Sequence, residues 1–387
     1  MSAPVGLELA EREVGRLVGA APGPTLVVVA GIHGNEPAGV EAARRVLARL
    51  TGADGLERGE LVVLAGHVEG LRAGRRYFHR DLNRQWTRDR LEATRTRARA
   101  GGADEDDREL LELHAAVEAA IARARGPVYV ADLHTTSAPG IPFVLFGDTL
   151  LQRAFVQAFP IPVIIGLEEQ VDGVLSEYWT RQGCVTFAVE GGQNEDPGAR
   201  ENLDAIIWLS LHRAGLLPAG HGARVVQAHT LLDSRREGLP RVLEVVERRA
   251  IDAEDCFHME PGFRNLNHAR RGQLLARDRR GEIRAPSDGV VILPLYQKLG
   301  SDGFFWGRTV SETRLRASKV LRTLRAEKLL EVLPGVQRDP ALPSRYVVEP
   351  GFGRRYAFEL LQMLGFRRIR AQQGALVFER QEDRGRR

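Results

Sequence analysis

The sequence predicts an α/β protein: a sheet covered by helices on both faces, then a small β-rich part and a C-terminal α+β extension. Three observations carry this. Apolar runs without polar alternation end in glycine, as in Thr25–Gly31 (TLVVVAG) and Leu61–Gly66 (LVVLAG). Segments with helical spacing lie between such runs. The pattern shifts to short strands and glycine-rich turns near residue 220, and to a basic helix near 310. Strands that do not alternate, interleaved with amphipathic helices, need both faces of their sheet buried.

Taken in order, Thr25–Gly31 is a buried strand. Residues 36–50 form a helix with Val40, Ala43, Val46, Leu47 and Leu50 on one side. Leu61–Gly66 repeats the strand type. Residues 87–108 are polar, rich in Arg and Asp, and carry no clear period. Arg108–Arg123 reads as a helix and Val128–Leu133 as another buried strand. Short strands are expected at Phe143–Phe146, Val163–Ile165 and Val185–Val189, and helices at 149–158, 172–182 and 198–214. Beyond 219, Ala285-Pro286-Ser287-Asp288-Gly289 is a turn opening the strand Val290–Leu293. Ser311–Glu331 is a basic helix, 354–365 a second helix, and the Arg-rich tail after Gln381 is expected to be disordered. The expected division is 1–218, 219–308 and 309–387.

Composition narrows the class. The chain has 387 residues, 43% hydrophobic and 27% charged, an ordinary globular balance. Its 55 basic residues nearly offset 51 acidic ones, and a net charge of +4 gives no reason to expect a nucleic-acid surface. Two cysteines, Cys184 and Cys256, make neither a disulfide framework nor a four-thiolate metal site. Cys184 sits in the apolar run 184–189 and is expected in the core. The N-terminus lacks a basic start followed by an apolar run, and no stretch reaches the ~18 apolar residues of a membrane span. A cytoplasmic protein without membrane partners is expected.

Three signals fall at ends of strands, where open α/β sheets bind ligands. The first is Gly31-Ile32-His33-Gly34-Asn35-Glu36. A tight turn lets His33 and Glu36 point at one centre, and imidazole and carboxylate are both good zinc donors. Alone, H-x-x-E is common by chance, and Glu36 also suits a helix N-terminus. The second is Asp132-Leu133-His134-Thr135-Thr136. His134 could supply a third ligand, leaving a fourth position open as catalytic sites do, or could simply bond backbone at the strand end. Asp132, on the same strand face, either orients a ligand ring or bonds nearby backbone. The third is Val189-Glu190-Gly191-Gly192, a strand ending in an acid suited to be a general base. Glu168, Glu169 and Glu177 compete for that role in less constrained surroundings. Between the first two signals, Arg76–Arg84 (RYFHRDLNR) offers guanidiniums for a substrate carboxylate or a developing oxyanion.

Together these residues resemble the succinylglutamate desuccinylase/aspartoacylase family, a branch of the zinc carboxypeptidase-like fold. The matching pieces are GIHGNE (31–36), RYFHRDLNR (76–84), DLHTT (132–136) and VEGG (189–192), in matching order and spacing. Residues 261–267 (PGFRNLN) and 285–291 (APSDGVV) resemble the family's C-terminal β domain. The resemblance covers residues 20–308 and implies a mixed sheet with helices on both faces. It implies one zinc ion per chain, held by His33, Glu36 and His134, with Glu190 as the base that activates water. It implies that Arg76 polarises the scissile carbonyl and that Asn83 and Arg84 hold a substrate carboxylate. Tyr178 and Arg181 resemble, loosely in spacing, a pair lining the substrate pocket. The chain departs from the family at His67-Val68-Glu69-Gly70, where Asn-Pro is common, and at Trp86, where Phe is common. His67 and Glu69 are expected to change the pocket's polarity. Residues 310–387 match nothing in the family.

The expected activity is metal-assisted hydrolysis of an amide in a small carboxylate-bearing molecule such as an N-acyl amino acid. A peptidase with the same core is the rival enzyme. A zinc- or nucleic-acid-binding protein is the non-catalytic rival. Its best feature is the helix bearing Arg314, Arg316, Lys319, Arg322, Arg325 and Lys328, whose charge Glu312, Glu327 and Glu331 dilute. That helix is expected to be solvated, with Leu321 and Leu324 packed inward. A homo-oligomer is compatible with all of these readings.

Overall fold

The computed structural model describes residues 7, 9, 11–50, 55–167, 170–297, 300–340, 342, 344–349, 354–372 and 375–380. The tail after Gln381 and the pair Glu168–Glu169 lie outside the described residues.

The chain begins β1 (Glu13–Val18), β2 (Ala21–Ala30), α1 (Ala38–Arg49), β3 (Arg58–Ala65), α2 (Val68–Ala73), α3 (Arg88–Arg99) and α4 (Glu105–Arg123). Then come β4 (Val128–Thr136), β5 (Phe143–Leu145), α5 (Leu150–Val156), β6 (Val163–Ile165), α6 (Leu175–Arg181), β7 (Val185–Gln193), α7 (Pro197–Ala214) and α8 (Gly222–Arg235). The β-rich part holds β8 (Val242–Ala250), β9 (His258–Met259), β10 (Asn267–Ala269), β11 (Leu274–Asp278), β12 (Gly281–Arg284), β13 (Gly289–Ile292) and β14 (Asp302–Thr309). The extension holds α9 (Glu312–Thr323), β15 (Val336–Arg338), β16 (Arg345–Val348), α10 (Arg354–Met363), β17 (Phe366–Gln372) and β18 (Ala375–Arg380).

One mixed sheet of eleven strands runs β1-β3-β2-β4-β7-β5-β6-β8-β14-β13-β10. Its centre, β3-β2-β4-β7, is parallel, and β5 joins β7 antiparallel. Burial on both faces explains the unalternated runs. Leu26, Val28 and Ala30 of β2 pack with α1 and α7, while Val27 and Val29 pack with α4 and α6. Strand β8 pairs parallel with β6 and antiparallel with β14, so this sheet continues past residue 218. A separate three-stranded sheet, β12-β11-β9, lies outside it.

Three α-helices formed where no helical period was read: α2, α3 and α8. α3 is capped by the Thr87 side chain and buries only Leu91 and Thr94, so it has no apolar stripe to betray it. α8 likewise buries only Ala228 and Leu232. The basic helix stops at Thr323 because Arg325 turns left-handed, with φ +51°. Leu321 packs on the extension's core, but Leu324 is exposed rather than packed.

The extension folds as a four-stranded sheet, β15-β16-β18-β17, around Tyr346, Leu361, Phe366 and Phe378. It is tied to the large sheet by Asp148, just after β5. That carboxylate accepts from Arg153 of α5, from Arg322 of α9 at 2.8 Å and from Arg367 of β17. No described helix is long and apolar enough to cross a membrane.

Candidate active site

Three adjacent parallel strands deliver the site. β2 ends at Ala30, and the turn that follows carries His33 and Glu36 into α1. Gly34 has to be glycine: a Cβ there would sit 2.0 Å from the carbonyl carbon of Gly70 and 2.3 Å from the carbonyl oxygen of Arg75. β4 pairs with β7 so that His134 and Glu190 are direct register partners. A carboxylate thus stands level with an imidazole at the sheet's C-terminal edge.

Both imidazoles present Nδ1 to the Glu36 carboxylate. His33 Nδ1 lies 2.9 Å from Oε1 and His134 Nδ1 lies 3.1 Å from Oε2. One donor atom from each residue falls within 4.8 Å of the other two, and all three residues are buried. The backbone N–H of Thr135 also donates to Glu36 Oε2, at 3.1 Å. Each ring's far nitrogen meets another carboxylate: His33 Nε2 is 3.1 Å from Asp81, and His134 Nε2 is 2.9 Å from Asp132. This is how metal-binding imidazoles are held, with the outer nitrogen fixed by a carboxylate and the inner one free to coordinate. The donor set of two nitrogens and a carboxylate fits zinc. Arg76 reaches into the same cluster, donating to Glu36 at 3.0 Å and Asp81 at 3.2 Å.

Burial pushes both acids of the centre upward, and their neighbours decide where each ends. Burial alone would raise Glu36, but the facing His33 and His134 outweigh it and hold the carboxyl well below the usual range. At Glu190 burial wins: it pushes the carboxyl up to about 8 against the pull of His134 and Arg76, with the negative Glu36 adding to the rise. Its Oε2 is buried and makes no hydrogen bond. His134 is raised despite burial, because Asp132 and Glu36 favour its charged form.

A pocket opens over this centre. His33, Glu36, Arg76, Asn83, Arg84, His134 and Glu190 all line it. Asn83 is only 7% exposed and is turned inward: Nδ2 donates to Asp132 at 3.3 Å, and Oδ1 accepts from the N–H of Leu175 at 2.8 Å. Arg84 donates to Asp302 of β14 at 2.8 Å.

Tyr178 and Arg181 do not line the pocket. Ser176 does, and two residues further along a helix is about 200° around it, on the opposite face. Tyr178 therefore packs on Trp86 and bonds His114 at 2.9 Å, while Arg181 pairs with Glu177 at 2.7 Å. His67 and Glu69 also lie elsewhere. His67 is buried, bonds Asp106 at 2.9 Å and caps α2, and Glu69 pairs with Arg72 near the surface. The sequence reading missed Asp81, although it stands inside the Arg76–Arg84 motif. It also missed Asp302 and the apolar wall from Leu293 to Leu295, which no motif marks.

Residues 22–205 match the model of the succinylglutamate desuccinylase/aspartoacylase catalytic domain. Over these residues the chain is similar to that family. A succinylglutamate desuccinylase of Burkholderia thailandensis is 27% identical over 266 residues, covering 66% of this chain and 70% of that protein. One of Photorhabdus laumondii is 39% identical over 62 residues, and that match spans only 19% of its length. Among solved structures, a succinylglutamate desuccinylase/aspartoacylase of Rhodobacter sphaeroides aligns with TM-score 0.56 at 17% identity, covering 76% of this chain and 87% of that one. A succinylglutamate desuccinylase of Chromobacterium violaceum aligns with TM-score 0.51 at 18% identity, covering 76% and 86%. At such identities these structures speak for a shared fold alone.

Proposed function

We propose that this protein is a zinc-dependent hydrolase that cleaves the amide bond of a small carboxylate-bearing substrate, an N-acyl amino acid. The observation that carries this reading is Glu190: a buried carboxyl whose Oε2 makes no hydrogen bond, level with His134 and facing the pocket that the His33–Glu36–His134 cluster floors. The reading takes residues 1–218 as a zinc carboxypeptidase-like catalytic domain, 219–308 as a β-rich domain over its mouth, and 309–387 as an appended extension.

His33, His134 and Glu36 would hold one zinc ion, and Asp81 and Asp132 fix the two rings. Zinc, when bound, supplies a Lewis acid that polarises a carbonyl and acidifies water. Glu190 takes the proton of the attacking water and hands it to the leaving amine; an acid raised toward neutrality suits both halves of that exchange. Arg76, its side chain 14% exposed, turns its guanidinium to the developing negative charge of the carbonyl oxygen. Arg84 meets the substrate carboxylate, and Asn83 acts through Asp132 and His134 rather than on the substrate.

A peptidase needs a cleft open to a chain. Here Leu293, Pro294, Leu295 and Phe305 of the β-rich part wall the pocket, which favours a small amide. The basic charge of α9 is largely used within the protein: Arg314 faces Glu244, Arg316 pairs with Glu312, and Arg322 is buried on Asp148. The deciding experiment is a hydrolysis screen of zinc-loaded protein against N-acyl amino acids, crossing acetyl, succinyl and longer acyl groups with acidic, neutral and basic amino acids. Zinc-dependent release of free amino acid supports the reading. Release only from peptides, or from nothing, removes it.

A further inference from the structure

The charge inventory of the pocket is lopsided. Among its described lining residues, the permanent cations are Arg76 and Arg84, against five carboxylates: Glu36, Asp81, Asp132, Glu190 and Asp302. Arg76 already donates to Glu36 and Asp81. Arg84 shares Asp302 with Arg248, which reaches the other oxygen of that carboxylate. The Arg84–Asp302–Arg248 chain thus carries one net positive charge. The Nε of Arg84 is buried without a hydrogen-bond partner, leaving a donor for an incoming group. Much of the remaining wall is apolar, built from Phe146, Val171, Val174, Leu293, Leu295 and Phe305.

We infer that the substrate carries a single carboxylate, received at Arg84 beside Asp302, and that the rest of its bulk is apolar. This rests on the amide-hydrolase reading above and narrows it. A second carboxylate would find no further unspent guanidinium among the described lining residues: it would be desolvated beside Glu36, Asp81 and Asp132, or set against hydrocarbon, where a buried charge without a partner is strongly disfavoured. An alkyl group in the same place gains from burial, about fourfold in affinity per methylene. Asp302 sets the discrimination, because it leaves the two arginines with only one charge to offer.

A matched set of amides tests this: N-(4-methylpentanoyl)-homoleucine, N-succinyl-homoleucine and N-(4-methylpentanoyl)-glutamate. Each dianion differs from the monoanion by one carboxylate in place of an isopropyl group. With zinc-loaded protein, kcat/KM for the monoanion should exceed that for both dianions by about tenfold or more. Equal or better turnover of either dianion overturns the inference while leaving amide hydrolysis intact. If none is cut, the wider acyl-amino-acid screen decides the hydrolase reading, and calorimetric binding of the same three amides to zinc-loaded Glu190→Gln still decides the charge question. Tighter binding of the monoanion supports it, and tighter binding of a dianion overturns it. Asp302→Asn should narrow the monoanion-to-dianion ratio several-fold; an unchanged ratio overturns the part given to Asp302.

Discussion

Two buried charge clusters, one at each side of β5, use burial to opposite ends. At the strand ends of β2, β4 and β7, acids outnumber the one guanidinium that reaches them, and Glu190 is left without a hydrogen bond at Oε2. After β5, one carboxylate gathers three guanidiniums, and Asp148 is held well below the usual range: burial would raise it, but Arg322, Arg367 and Arg153 outweigh burial. Burial pushes both acids upward; one stays raised and the other is pulled down because the neighbours decide the net sign. The first cluster is unfinished without a cation and suits chemistry. The second is saturated within the protein and suits fastening the extension to the core.

The sharpest division between them is expected in turnover. Glu190→Gln removes the proton carrier while keeping its shape, and kcat should fall by about 10² to 10⁴. Bound zinc, measured by elemental analysis, and the unfolding midpoint should both stay near wild type. Near-normal turnover would take Glu190 out of the mechanism and make the two clusters alike in being structural.

Next in size is the converse substitution. Asp148→Asn leaves Arg153, Arg322 and Arg367 facing one another with no carboxylate between them. Breaking a buried pair this way costs about 3–5 kcal/mol. Urea unfolding should show that loss, with zinc content unchanged at temperatures where the variant is folded. A loss under about 1 kcal/mol, the scale of surface pairs, would mean the knot does not fasten the extension.

How much of this was legible in the sequence follows from what each residue depends on. His33, Glu36, His134 and Glu190 sit where a strand ends, and a strand end can be read from an apolar run closed by glycine. Their partners depend on geometry that a linear pattern does not carry. Tyr178 and Arg181 were misplaced because the facing of α6 turns on which residue meets Asn83, and that residue is Leu175, ninety-two positions away. Asp302 comes from a different strand of the sheet, in a stretch with no distinguishing composition. α3 escaped because its stability comes from caps and ion pairs such as Arg97 with Asp107 rather than from an apolar stripe. Asp148 looked like one loop acid among many until the arginines of α9 and β17 were seen to reach it.

Metal removal should sharpen the contrast from the other side. A ligand that binds only the folded state stabilises it by about 2.7 kcal/mol at a hundred times its dissociation constant. Chelation should therefore lower the unfolding midpoint of the wild type. His33→Ala, which removes one of three ligands, should bind zinc weakly and show almost no such shift. A full chelator-induced shift in His33→Ala would place the metal elsewhere and end the assignment of this cluster.

The smallest expected effect is a pH slope, and it belongs to the Asp148 knot. Its carboxyl is depressed in the folded state, whereas an unfolded Asp titrates near about 3.9. Above that value both states hold Asp148 ionised, and the knot contributes its full stability. As pH falls through about 4, the unfolded chain takes up a proton that the folded chain refuses, so acid favours unfolding. The slope approaches about 1.4 kcal/mol per pH unit, the linkage of one proton. Asp148→Asn has nothing to titrate there. The stability gap between wild type and Asp148→Asn should therefore be widest at neutral pH and shrink steadily below pH 4. Unfolding curves of both proteins with zinc removed, taken from pH 7 down to pH 3, measure that gap without interference from metal release at the other cluster. A gap that stays constant over the range would mean that Asp148 is not held as a carboxylate by its arginines, and the proposed fastening of the extension would lose its electrostatic basis.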